Sequence, residues 1–205
     1  RAVALGPKPA LTQERQGEIF FNDASLCFQQ WQSCASCHPE DRVDGFNWDL
    51  LNDGIGNPKN TKSMLLSHKT PPAMSLGIRE SAEKAVRSGI KFIQFAVRPE
   101  SDALAIDEYL KNMKPLASPF LVNGQLSPEA DRGKKVFESA GCSTCHTPGL
   151  YTDLKQYDIG TGTGMDKDKP MDTPTLVEVW RTGPYLSYGQ AVTLFDVFKK
   201  FNPGN

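Results

Sequence analysis

Cys34-Ala35-Ser36-Cys37-His38 and Cys142-Ser143-Thr144-Cys145-His146 place four of the five cysteines in two copies of C-x-x-C-H. Two thiols one helical turn apart reach the two vinyl groups of a haem while the adjacent imidazole turns to the iron, so each segment reads as a covalent c-type attachment site. The expected cofactors are two covalently bound haem c groups, tethered by Cys34, Cys37, Cys142 and Cys145, with His38 and His146 as proximal ligands. A zinc site made of two C-x-x-C pairs would space them about 15 to 20 residues apart, whereas most of the chain separates Cys37 from Cys142. A thioredoxin-like dithiol gains nothing from the following histidine. Cys27 stands outside both segments and reads as a small buried hydrophobe. Haem is attached to thiols outside the bacterial cytosol, which places the protein in the periplasm or at the cell surface.

Working outward, the chain reads as two copies of one plan. A helix opening at Leu11-Thr12 precedes the first attachment segment, and one opening at Leu126-Ser127-Pro128 precedes the second, with Ser127 as N-cap and Pro128 at the first helical position. Further on, Asn60-Thr61 through Gly77 aligns without a gap on Asp172-Thr173 through Gly189, which sets His68 on Trp180 and Met74 on Leu186. Helical patterns follow at Ala82, Ala85 and Val86, and again at Leu194, Phe195, Phe198 and Phe201, where Thr193 and Asp196 form a capping box. Ala103, Ile106, Tyr109, Leu110 and Met113 recur at helical spacing before the Pro115 to Pro119 stretch, which reads as the linker. The expected fold is mostly α: two cytochrome c-like haem domains with long loops, 1–115 and 116–205, related by the internal repeat. Strands should be few.

The 205 residues carry 23 basic against 24 acidic side chains, a formal charge of -1, which excludes the basic excess of a nucleic-acid binder. No apolar run approaches the roughly 20 residues of a membrane span, and the stretch Gly89 to Val97 is broken by Lys91 and Gln94. The opening Arg1-Ala2-Val3-Ala4-Leu5-Gly6-Pro7 has neither an initiator Met nor a complete signal peptide, so a mature product or a piece of a longer chain is expected. The ending at Asn202 to Asn205, just after an apolar helical pattern, points the same way.

Three histidines occur in all, so with His38 and His146 committed only His68 remains for a second imidazole ligand. His68 and Met74 compete for the distal face of the first iron, with Met64 behind them, and Met165 and Met171 are the candidates at the second. Trp31, Trp48 and Trp180 read as packing around the porphyrins, and Asp166, Asp168 and Asp172 as a solvated charged loop rather than a cation site.

With Asp172-Thr173-Pro174-Thr175-Leu176 and Gly183-Pro184-Tyr185-Leu186-Ser187-Tyr188-Gly189 added to the two attachment segments, the chain resembles the di-haem cytochrome c peroxidase family and its MauG relatives, over roughly 12 to 202. The stretch from Trp48 through Asn52 and Asp53 to Thr61 further resembles a branch in which this unit follows a β-propeller upstream. The resemblance implies an N-terminal haem that reacts with hydrogen peroxide and a C-terminal haem that relays electrons. It also implies one calcium ion between the domains, near Asn60 and the carbonyls by Asp172 and Pro174. The chain departs from the family in four places: Asn57 and its neighbours where a removable His ligand is expected, the Ser75 region in place of a tryptophan between the haems, Ser187 for a histidine, and Phe201 for a methionine ligand.

Peroxide reduction would need a nearby group to move a proton, for which Glu83, Gln94 and Glu100 are the catalytic candidates beside His68. A small cytochrome or cupredoxin would be the electron donor. Two alternatives stand beside this: a non-catalytic di-haem electron-transfer module, and MauG-like oxidation of a partner or organic substrate.

Overall fold

In a computed structural model of the chain, the described residues are 3, 6, 7, 10–51 and 54–201. The opening heptapeptide in most of its length, Asn52 and Asp53, and the end from 202 onward lie outside them. Helices and long loops dominate. Among the described residues the only paired strands are two short antiparallel ribbons, β1 (Asn47–Trp48) with β2 (Lys59–Asn60), and β3 (Gln156–Tyr157) with β4 (Met171–Asp172).

The first copy begins with α1 (Gln13–Asn22), capped by Thr12 Oγ1, which accepts from the Arg15 amide at 3.1 Å. Next come α2 (Cys34–Cys37), the β1–β2 ribbon, α3 (Ala82–Ser88) running into a π-helical turn at Gly89–Ile93, and α4 (Glu100–Asn112). Acidic Glu100 and Asp102 fill the first turn of α4, where they oppose the positive end of its dipole, and Pro115 stands just beyond its end. α4 lies across α1, with the rings of Phe21 and Tyr109 5.6 Å apart. The core is here: Phe21, Val86, Ile90, Ala103, Ile106 and Leu110 form one buried cluster.

Gly17 is what lets α1 and α4 touch, because a Cβ at that position would sit inside the Ala105 carbonyl. The matching glycine of the second copy, Gly133 in α5 (Pro128–Ser139), has open space around it. Gly17→Ala should therefore destabilise the protein by about 3 kcal/mol through forced separation of the helices. Gly133→Ala should be stabilising by about 0.5 to 1 kcal/mol from helix propensity alone. Thermal denaturation of the two variants checks both signs.

The second copy repeats the first down to its backbone. Ser127 caps α5 with Pro128 in the first turn, and Thr193 and Asp196 form a capping box on α6 (Leu194–Asp196), which runs into a π-helical turn at Val197–Phe201. Leu66 and Glu178 share a positive φ, as do Met74 and Leu186, and the Pro71-Pro72 and Gly183-Pro184 peptides are both cis.

The copies meet about a local pseudo-twofold axis. The Asn60 amide donates to Ser187 O and the Asp172 amide to Ser75 O, both at 2.9 Å. Asn47 Nδ2 donates to Tyr188 O at 2.9 Å, and its counterpart Gln156 Nε2 donates to Leu76 O at 2.7 Å. Trp31 is largely exposed on the protein surface, and Trp48 sits at the surface with its indole nitrogen on Asp44 Oδ2. Asp166 is fully buried and Asp172 nearly so, contrary to the reading of that run as a solvated loop.

Candidate haem sites

Ser33 opens α2 by a reciprocal exchange with Ser36, and the turn it starts puts Cys34 and Cys37 on one side of the chain. The turn ends where the His38 amide donates to Cys34 O at 3.0 Å. In the second copy the His146 amide donates to Cys142 O at 2.9 Å, so both attachment segments close the same ring. All four thiols are free and half-buried.

Each histidine is then oriented by a main-chain carbonyl. His38 Nδ1 lies 3.2 Å from Arg42 O, and His146 Nδ1 lies 2.9 Å from Tyr151 O. A carbonyl can only accept, so Nδ1 carries the proton in both rings and Nε2 is the nitrogen left with a lone pair for a metal. Burial pushes the His38 imidazole below its ordinary value, against the Arg42 and Lys62 carbonyls and the carboxylates of Asp44 and Asp41, which pull it up. The ring is neutral near pH 7, as metal ligation requires.

Burial also raises the Cys34 thiol to about 12 and pushes Cys37 upward, the latter with help from Asp44. Such thiols lack the thiolate character of a redox dithiol. Among the described residues no three His, Cys, Asp or Glu side chains converge as a metal cluster, so the cysteines stay in two separate pairs.

These residues fit a haem. Two thiols and an imidazole sit on one turn in each copy, and the apolar side chains of Phe46, Phe95, Phe195 and Phe198 are largely exposed on the protein alone. Buried hydrophobics of the second copy reduce to Met171 and Ala191 among the described residues, too few to hold a domain without another apolar body.

The other expected site residues divide. His68, Glu83 and Glu100 are brought together around one guanidinium. His68 Nε2 donates to Asp107 Oδ1 at 2.9 Å, Arg87 Nη1 donates to Asp107 Oδ2 at 2.5 Å and to Glu83 O at 3.0 Å, and Arg87 Nε donates to Glu100 Oε1 at 2.9 Å. Asp107 and Arg87 are the members that sequence reasoning missed; Asp107 lies 39 residues from His68, among the buried residues of α4. His68 Nε2 is thus engaged by a carboxylate.

Gln94 lies elsewhere, buried at the first attachment segment with Nε2 3.7 Å from Cys34 Sγ. Its carbonyl accepts from the buried Cys27 thiol at 3.4 Å. Met74 occupies a tight turn closed by Gly77, Met165 is half-exposed beside Gly54, and Met171 is buried with its sulfur accepting from Ser187 Oγ at 3.4 Å. At the expected calcium position, Asn60 Nδ2 donates to Asn47 Oδ1 at 3.1 Å and the ammonium of Lys62 sits 2.8 Å from Asp172 Oδ2.

No family model matches the chain. It is 29% identical over 239 residues to hydrazine synthase subunit gamma of Kuenenia stuttgartiensis, covering 89% of this chain and 67% of that protein. The structure of hydrazine synthase from the same organism, pressurised with xenon, superposes with a TM-score of 0.85 at 23% identity over 99% of this chain and 90% of the other. A MauG-like protein associated with microbial copper homeostasis gives 0.71 at 18% identity, over 95% and 75% of the two chains. The di-haem peroxidase BthA of Burkholderia thailandensis gives 0.69 at 18% identity, over 93% and 71%. The fold is that of the di-haem cytochrome-type proteins.

Proposed function

We propose that this chain is a di-haem c-type cytochrome of the periplasm or cell surface, with haem domains at 1–115 and 116–205. It would reduce hydrogen peroxide at the first haem with electrons relayed from the second. The observation that carries the reading is the duplicated attachment turn, with each histidine held through Nδ1 on a carbonyl, at 3.2 and 2.9 Å. When bound, the haem irons supply one-electron chemistry and a place for a small oxidant.

The residues of the chain have three tasks. Cys34, Cys37, Cys142 and Cys145 tether the porphyrin edges. His38 and His146 bind through Nε2. His68, buried with Nε2–H held on Asp107 and Arg87 behind that carboxylate, is the group best positioned to hold or pass a proton. A calcium ion held by Asn60 and the carbonyls by Asp172 and Pro174 would complete this reading, beside the Lys62–Asp172 ion pair. A small cytochrome or cupredoxin is the electron donor it calls for.

A second reading is favoured by the alignment with the hydrazine synthase gamma subunit over nearly the whole chain. In it the protein is an electron-transfer subunit of a larger assembly and no small substrate reacts at either haem. Steady-state peroxide consumption with a reduced small cytochrome separates the two. Turnover that falls at least about 100-fold in His68→Ala, the scale of a lost acid–base group, supports the first. Absence of turnover, with no high-spin signal in any redox state, supports the second.

A further inference from the structure

The carbonyl that receives His38 Nδ1–H belongs to Arg42, and it is presented by a turn that needs outside support. Glu40 and Asp41 both have positive φ, 50° and 61°, a conformation that costs L-residues about 1 to 2 kcal/mol each and persists where neighbours over-determine it. Three clamps do so. Tyr109 Oη donates to Asp41 Oδ2 at 2.5 Å, Arg181 Nη2 donates to Glu40 Oε2 at 2.7 Å, and Arg42 itself forks onto Glu178, with Nε on Oε2 at 2.7 Å and Nη2 on Oε1 at 2.9 Å. Two of these clamps come from the second copy.

The Arg42–Glu178 pair is buried, at 8% and 1% side-chain exposure. Burying such a pair carries a desolvation cost that apolar side chains of the same size avoid. At the matching position of the first copy stands Leu66, at the same positive φ, so the shared backbone conformation does not itself call for a carboxylate. Among the described residues no buried ion pair of this kind stands behind His146. Its carbonyl partner is Tyr151, 40% exposed and resting on the ring of Phe137.

We propose that Arg42 and Glu178 are positioning residues through which the second copy fixes the His38 imidazole, and so tunes the first haem without a reciprocal effect on the second. The inference rests on the haem reading above. The N–H···O bond to a ligating imidazole raises its donor strength, and outer partners of this kind tune the metal they never touch. Freeing the Arg42 carbonyl lengthens that bond, weakens the donor, and favours the reduced iron.

The test uses the haem-loaded full chain. Pyridine haemochrome analysis comes first: if the wild-type chain holds no haem, the functional reading fails before this one is reached. In Glu178→Gln and Arg42→Gln, an optical redox titration should then show one of the two reduction potentials moving upward, and it should be the one that is lost in His38→Ala. The hyperfine-shifted Nδ1–H resonance of the same histidine should move with it, and Arg42→Lys should recover part of both shifts. Unchanged potentials in folded Glu178→Gln overturn the proposal. So do equal shifts at both haems accompanied by a lower Tm, which mark a structural role alone. If Arg42→Gln fails to carry haem, Glu178→Gln decides, because glutamine keeps the size and one acceptor.

Discussion

Replacing Cys142 and Cys145 together with alanine is expected to take the protein from two haems per chain to one and to cost the second copy its folded state. The same change at Cys34 and Cys37 should also remove one haem but leave α1 packed on α4. The difference follows from where the apolar residues lie. The first copy has a core of its own in Phe21, Val86, Ile90, Ala103, Ile106 and Leu110. Among the described residues the second has Met171 and Ala191 as its buried hydrophobics, and α5 buries none of its residues. At roughly 25 cal/mol per Å² of apolar surface removed from water, a porphyrin is the largest stabilising body available to it. Limited proteolysis with peptide mapping reads the outcome: cuts should spread through α5 and the segment around Trp180 in one variant, and not through α1 and α4 in the other. Equal protection of the second copy with and without its haem would refute the claim.

Asp166→Ala is expected to lower stability by about 3 kcal/mol, since it leaves the largely buried ammonium of Lys59 without its counter-ion. The carboxylate is completely buried at the seam between the copies. It accepts from Tyr188 Oη at 2.6 Å and from Asn57 Nδ2 at 3.2 Å, with Lys59 Nζ at 2.6 Å and Lys169 Nζ at 3.3 Å. At about 2 to 4 °C per kcal/mol for a chain of this size, Tm should fall by about 6 to 12 °C. Burial alone would raise its pKa, but Lys59, Tyr188 and Asn57 hold it down to about 2. A folded-state value below the unfolded value of about 3.9 means the contribution is complete above that pH and is lost as pH falls toward 2. The Tm gap between wild type and Asp166→Asn should therefore narrow from pH 5 to pH 2. A constant gap would show that the charge is not what holds the seam.

The parts of this molecule that sequence reveals are those set by local geometry. The attachment turns, the Thr12, Ser127 and Thr193 caps and the gapless repeat from Asn60 and Asp172 follow from residues within a few positions of one another. The polar interior resists such reading because its partners are remote. Asp166 sits in a run of charged and glycine residues that looks solvated, and it is buried because Asn57 and Lys59 of the other copy close over it. Arg42 finds Glu178 from 136 residues away. His68 meets Asp107 from 39 residues away, a buried residue of α4 that no local pattern tied to it.

The most direct test of the whole account is intact-mass analysis of the protein purified from its native source, combined with thiol alkylation after unfolding. The expected mass is that of the polypeptide plus two haems, with a single alkylated cysteine per chain, Cys27. Five alkylated cysteines on an unmodified chain, or thiols released only on removal of zinc, would contradict it.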